Sequence, residues 1–483
     1  MSRRILGPFN RVEGDLEVRI ETRDGEVAEA WVTAPMYRGF EQILHGKDPY
    51  DALVFTPRIC GICSVSQSVA AAEMLRAAAG IERPYNGQLA INLIHACENL
   101  ADHFTHFHLF FMPDFARDLY RRHAWYELVA SRFKALRGEG IPAAMEARAR
   151  FMHLLGLLAG KWPHSLALQP GGSTRAVAAQ EKIRLMKILN GFRRYLERHL
   201  FGDSLERVAA LGSEDELLGW AEEAEPGKSD LRLFLMLSDD LALHRLGRTD
   251  TRLMSFGVYP QQKAPLFRAG SWKGGEHSTL HTAEITEDVS HSWLEGQQQP
   301  RHPFQGVTLP AADPATGYSW CKAPRLAGEV VEVGALARQL VDGNPLVEDL
   351  VRCSGSNVRN RVIARLIEIP RVLLAMERWC HEIQPEAPFC QRASLPDAAE
   401  VFGLTEAARG SLGHWLRIRN GRILNYQVVA PTTWNFSPRD REQTPGPLEQ
   451  ALVGTPAPAS QREPVAVQHV VRSFDPCMVC TVH

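Results

Sequence analysis

Two Cys-x-x-Cys pairs stand at opposite ends of this chain: Cys60-Gly61-Ile62-Cys63 near the front and Cys477-Met478-Val479-Cys480 within the last seven residues, which end on His483. Positions 64 to 476, 413 residues, lie between them. One such pair alone is as often a redox couple, half a zinc ribbon or chance; a second pair of the same spacing points to metal ligation, because thiolates three apart reach one ion. A structural zinc site built from two such pairs separates its halves by about 15–20 residues. Closing a loop of hundreds of residues makes a poor folding nucleus, so the spacing asks for a fold that gathers both ends around a buried catalytic metal. Soft sulfur donors leave nickel, iron and zinc open.

Composition narrows the partners. Fifty-four basic and 56 acidic residues give a formal charge of -2, so no field of one sign points to nucleic acid or an anionic membrane surface. Hydrophobic residues at 45% and charged residues at 23% are ordinary for a globular chain. The longest apolar runs, such as residues 153–160, fall far short of the roughly 20 residues a spanning helix needs. Arg3-Arg4 is followed only by Ile5 and Leu6 before Gly7-Pro8, so there is no apolar signal core. With nine cysteines, an odd number, the expectation is free thiols in a reducing, cytoplasmic compartment.

Periodicity predicts a mainly α chain with small β additions, arranged as one unit over residues 1–483. Leu16, Val18 and Ile20 alternate, Asp24-Gly25 supplies a tight turn and Val27 and Val32 resume, so a β-hairpin is expected over about 15–33. Helices are expected at Ser64–Ala79, stopped by Gly80, and at Gln88–Met112, stopped by Pro113. Further helices are expected at about 126–160, 174–211, 229–246, 334–342 and 358–383. The Pro-rich segments 298–317 and 437–464 read as surface loops. Cys63 falls at a helix start, where free N–H groups favour a thiolate. Asp475 and Pro476 look like the N-cap and first residue of a further short helix that would put Cys477 and Cys480 on one face.

The stretches "RVEGD", "RGFEQIL", "RICGIC", "DHFTHFH", "YSWCKAPRLAGEVVEVGALAR", "TEAARGSLGHW", "NYQVVAPTTWN" and "RSFDPCMVCTVH" occur in the order found in large subunits of nickel–iron hydrogenases. The resemblance runs from residue 8 to 483. It implies Cys60 and Cys477 as terminal thiolates on nickel, and Cys63 and Cys480 as bridges to an iron carrying carbon monoxide and two cyanides. Heterolytic splitting of H2 is the implied reaction, with Cys477 and then Glu13 taking the proton. Arg409, flanked by Asp102 and Asp475, is implied over the open face of the metals; Pro431 and Thr432 are implied against the cyanides. Glu41, the Val428 carbonyl and His483 are implied ligands of a magnesium ion. His95, His103, His106 and His108 read as packing or proton-network residues rather than zinc ligands.

Departures from the pattern suggest a subtype. Gln67 stands where the family has a histidine that bonds a bridging sulfur; glutamine donates that bond but does not titrate. The chain ends at His483, without the extension most relatives lose on maturation. Ile62 and Phe110 stand at the implied neck of a gas channel, where bulk would restrict O2 more than H2. Together these resemble the H2-sensing, regulatory branch, which reports to a histidine kinase; a processed uptake enzyme is the alternative, and a nickel-free hydrogenase-like subunit of a respiratory complex a distant one. Asp15 and Ala408 also depart, without a clear consequence. No third cysteine cluster offers iron–sulfur relays, so an iron–sulfur small subunit is the expected partner.

Overall fold

The computed structural model describes residues 2–311 and 317–481. Helix outweighs strand, with small separate sheets packed onto long helices, as the periodicity predicted. The expected hairpin is present as β2 (Glu17–Arg23) and β3 (Glu26–Thr33), with Asp24 and Gly25 both at positive φ in the turn. A strand not foreseen, β1 (Ser2–Leu6), pairs antiparallel with β2. Val18, Ile20, Val27, Ala30 and Val32 point into the main core.

Helix α1 (Ser64–Ala79) has the expected limits and ends at Gly80 in the left-handed region. Helix α2 (Tyr85–Thr105) is buried along almost its whole length and runs on through a π-helical turn, His106–Phe111, so the segment expected as one helix changes hydrogen-bond pattern before Pro113. The longest helix, α3 (Val358–Glu382), packs against α2 and tolerates Pro370 in its interior.

Longer helical forecasts break at glycines and capping residues. The 126–160 segment divides into Tyr126–Phe133 and Gly140–Ala159, with Leu136 at positive φ between them. The 174–211 segment divides at Gly202, after which the Ser204 hydroxyl accepts from the Arg207 N–H and starts a new turn. The 229–246 helix is Asp230–Asp240, and 334–342 is Ala335–Val341. Segment 437–464 is not simply a surface loop: Pro447–Leu452 is a buried helical turn whose Glu449 accepts from the Val32 N–H at 2.9 Å. In 298–317, residues 312–316 lie outside the described ones.

The largest element the periodicity did not foresee is an antiparallel meander, β4 (Ala399–Ala407), β5 (Gly410–Arg419) and β6 (Arg422–Val429). Asn420-Gly421, both at positive φ, form its second turn, a hairpin signature visible in the sequence. Ala408-Arg409 form the first. Gly403 lets this sheet lie directly on α1: a Cβ there would stand 2.1 Å from the Ala70 carbonyl oxygen. The meander thereby delivers Arg409 on a hairpin tip toward the start of α1.

Candidate metal centre

The front cysteines are held by helix capping from a distance. Cys60 follows a 3-10 turn, Thr56–Arg58, and Cys63 is the N-cap residue of α1. Helix starts leave N–H groups without partners. Here those of Val65 and Ser66 donate to the Glu98 carboxylate of α2 at 2.8 and 2.9 Å, and the Ser66 hydroxyl and Trp162 indole N–H add bonds of 3.0 and 2.9 Å. Burial pushes Glu98 up to about 7, opposed by these donors.

The rear cysteines rest on tertiary contacts instead. The helix α4 (Val465–Ser473) closes at Phe474, and Asp475 turns the chain at φ 56° in the left-handed region. It is therefore not the N-cap expected from "DPC": Cys477 holds the cap position of a 3-10 turn, Met478–Cys480, and the Asp475 carboxylate is engaged elsewhere. The Cys477 N–H donates to the Thr432 hydroxyl at 3.2 Å. The Glu13 backbone runs parallel beside this turn, accepting from the Met478 N–H at 2.7 Å and donating to the Pro476 carbonyl at 3.4 Å. Gly14 (φ 81°) permits this approach, since a Cβ there would be 3.0 Å from the Val479 nitrogen. Arg38 donates to the carbonyls of both Ile59 and Val479, tying front and rear together.

The result is four buried sulfurs whose ligating atoms all lie within 4.8 Å of one another. Cys60 and Cys477 are 3.3 Å apart, Cys63 and Cys480 3.2 Å, Cys477 and Cys480 2.9 Å. Hydrogen bonds from its neighbours hold the Cys60 thiol well below the ordinary range, while the same contacts push Cys63 well above it and burial does so for Cys480. Such a crowd of soft donors, able to share only part of its charge as bare thiols, fits a metal pair.

Arg409 borders this cluster. Its guanidinium spans Asp102 through Nη1 and Nη2, the latter at 3.2 Å, and reaches the Asp475 carboxylate at 3.2 Å and the Asp475 carbonyl at 2.9 Å. Burial raises Asp102 to about 7 against the pull of Arg409. For Asp475 burial acts the same way, but Arg409, His106 and Arg365 outweigh it and the net shift is downward. Glu13 is partly exposed; burial and the nearby Cys60 raise its pKa.

The other predicted residues take defined places. Pro431 opens a buried helical turn next to Thr432. The Glu41 carboxylate accepts from the Val428 N–H at 2.8 Å, from the Thr308 hydroxyl and from Lys322 at 3.1 Å; His483 lies outside the described residues. Gln67 is fully buried with its carbonyl oxygen 2.8 Å from the His414 ring. Ile62 packs beside the cysteines, and Phe110 sits partly exposed on the π-helical turn. The helix histidines are each engaged: His95 with Ser66, His103 with Glu368, His106 with the Arg472 carbonyl, His108 with Phe104 and Asp230. None joins the thiols. Asp15 is exposed, and the Ala408 carbonyl accepts from Arg338.

Sequence reasoning missed Arg38, Glu98, Lys322, His414 and Tyr426. Glu98 had a signal, an acid on the apolar stripe of "INLIHACENL"; the others had none beyond lying in the recognised stretches.

This fold and thiol site are those of a nickel-dependent hydrogenase, and the chain belongs to that family, whose model matches residues 38–118 and 142–483. It is 30% identical to the periplasmic [NiFeSe] hydrogenase large subunit of Desulfomicrobium baculatum, over 99% of this chain and 94% of that one. It is 28% identical to the hydrogenase-2 large chain of Escherichia coli K12, over 100% and 97%. A solved structure of the Dm. baculatum [NiFeSe] hydrogenase superposes with a TM-score of 0.87 at 28% identity, covering 100% of both chains. The periplasmic relative overturns the cytoplasmic location expected above. The cysteine argument for a reducing compartment failed because four of the nine thiols gather in one group that could hold a metal ion, which says nothing about redox surroundings.

Proposed function

We propose that this chain is the catalytic large subunit of a heterodimeric nickel–iron hydrogenase that works as a slow, oxygen-insensitive H2 sensor signalling to a histidine kinase. The observation that carries the hydrogenase reading is the convergence of Cys60, Cys63, Cys477 and Cys480 within 4.8 Å beneath Arg409. A nickel–iron pair bound there, its iron holding carbon monoxide and two cyanides, supplies the centre for heterolytic splitting of H2. Cys477 is the first proton acceptor. Glu13, bonded through its backbone to the Cys477 turn and holding its proton more tightly than an ordinary carboxyl, takes the proton onward. Arg409 keeps its charge near the open face because two carboxylates balance it. Pro431 and Thr432 would meet the cyanides, a role supported by the bond from the Cys477 N–H to the Thr432 hydroxyl on their buried turn.

A magnesium ion is the further expected metal, with Glu41 and the Val428 carbonyl as its ligands among the described residues and His483 as the ligand the resemblance implies. The buried carboxylates of Glu41 and Glu287 both meet the Lys322 ammonium, at 3.1 and 3.0 Å, and carboxylate oxygens are the donors a hard divalent cation takes. Among the described residues the four clustered cysteines form the one thiol group able to hold a metal, so electrons leave through a partner, an iron–sulfur small subunit.

The sensor reading is supported by Gln67 and by the bulk of Ile62 and Phe110. A turnover enzyme for H2 uptake is the second reading, favoured by 27% identity to the uptake hydrogenase large subunit of Azotobacter chroococcum mcd 1 over 99% of this chain. Purified heterodimer is tested for nickel and for H2-driven dye reduction under argon and in air. Slow activity that persists in air is expected. Nickel-free protein sinks the hydrogenase reading, and fast activity lost in air selects the uptake enzyme. In the same assay Ile62→Val with Phe110→Leu is expected to make activity oxygen-sensitive.

A further inference from the structure

Gln67 stands one turn into α1 from Cys63, its N–H bonded to the Cys63 carbonyl at 3.1 Å, so the two side chains share a helix face. Behind it runs a line of fully buried polar groups. The Gln67 carbonyl oxygen is 2.8 Å from His414 Nε2, and His414 Nδ1 is 2.7 Å from the Tyr426 hydroxyl. The meander creates this line: His414 on β5 lies opposite Val428 on β6, so Tyr426, two residues away on the same face, is its diagonal neighbour.

Donor and acceptor roles follow from chemistry. An amide oxygen only accepts, so His414 Nε2 donates; the other nitrogen of a neutral ring then accepts, so the Tyr426 hydroxyl donates. The direction is Tyr426 to His414 to Gln67. The Gln67 NH2 group is thereby turned away from His414, and it is buried with no hydrogen-bond partner among the described residues. A buried donor without a partner is unfavourable, so the amide, on the helix face it shares with Cys63, calls for an acceptor.

We propose that His414 and Tyr426 are positioning residues, which lock the Gln67 amide so that its NH2 donates to a bridging thiolate, Cys63 or Cys480, of the loaded centre. The inference rests on the nickel–iron reading of the thiol site. It gives the chain a fixed, non-titrating donor at this sulfur, aimed by a relay that begins on a different sheet strand.

The test uses purified heterodimer and the infrared stretching band of the iron-bound carbon monoxide, with metal content measured first. An N–H bond draws electron density from a thiolate; its loss leaves iron richer and weakens C–O. Tyr426→Phe and Gln67→Leu are each expected to shift the band to lower wavenumber, and the double variant no further than Gln67→Leu alone. Unchanged position in Tyr426→Phe, or shifts that add in the double variant, overturn the relay. Nitrogen NMR of ring-labelled histidine in the metal-free chain is the second measurement: His414 is expected as the Nε2–H form, losing that preference in Tyr426→Phe, and the opposite form also overturns it. Absence of nickel in the parent protein instead counts against the metal reading itself.

Discussion

The two cysteine pairs have the same spacing and are held by different physics. Cys63 caps a 16-residue helix whose first N–H groups are taken by one remote carboxylate, Glu98. Cys480 ends a three-residue 3-10 turn with no such regular support, and it is located by Glu13, Thr432 and Arg38, contributed from three distant parts of the chain. The front pair is a half-site that local helix structure largely builds; the rear pair exists only once the rest of the fold has assembled around it.

The comparison is broken most directly at the ligands. Cys63→Ala and Cys480→Ala are each expected to leave purified protein without nickel and iron, measured by elemental analysis; metal retained at the parent level would show that one pair suffices. Next in size, Arg409→Leu strands Asp102 and Asp475 as buried charges without their guanidinium, at a cost of about 3–5 kcal/mol. Urea denaturation reads that loss. The rear pair should loosen more, since Arg409 also holds the Asp475 carbonyl.

Glu98→Ala separates the two halves. Leaving the Val65 and Ser66 N–H groups buried without an acceptor is expected to cost about 1–3 kcal/mol. Hydrogen exchange should quicken at the start of α1 and stay unchanged at Met478. Gly14→Ala is the reciprocal change: a left-handed φ with a Cβ against Val479 costs roughly 1–2 kcal/mol and should quicken exchange at Met478 alone. Equal effects on both segments in either variant would mean that the halves are a single cooperative unit.

The smallest expected effect is a pH dependence. Glu98 and Glu449 both hold protons up to about 7 because they are buried, against 4.5 for the free side chain. The folded state binds extra protons between those values, so the stabilisation is complete below 4.5 and is lost as pH rises through about 7. Each group contributes a slope of at most about 1.4 kcal/mol per pH unit. Melting temperature is expected to fall on going from mildly acidic to alkaline buffer, and Glu449→Gln to flatten its share without touching either cysteine pair.

Much of this was legible early. The ligand cysteines, the hairpin with its Asp24-Gly25 turn and the limits of α1 follow from spacing, turn residues and helix periodicity. The meander of 399–429 was not read, although Asn420-Gly421 marked it, because its middle strand and the inner halves of the other two are buried on both faces, which leaves only short stretches of the alternation that identifies a half-exposed strand. Asp475 was misread as a cap. An Asp-Pro pair has that local meaning, but the pull of a buried Arg409 and the end of α4 place it in the left-handed region instead.

The sequence by itself determined which atoms can bind metal and where the regular elements begin, since ligand chemistry and backbone periodicity are properties of short segments. Only the tertiary structure decided that residue 13 lies against residue 477, that Glu98 caps a helix 32 residues before it, and that Tyr426 reaches toward the thiols through His414 and Gln67. Those contacts have no sequence period. They follow from close packing of whole helices and sheets, in which the position of each buried polar group is set by everything around it.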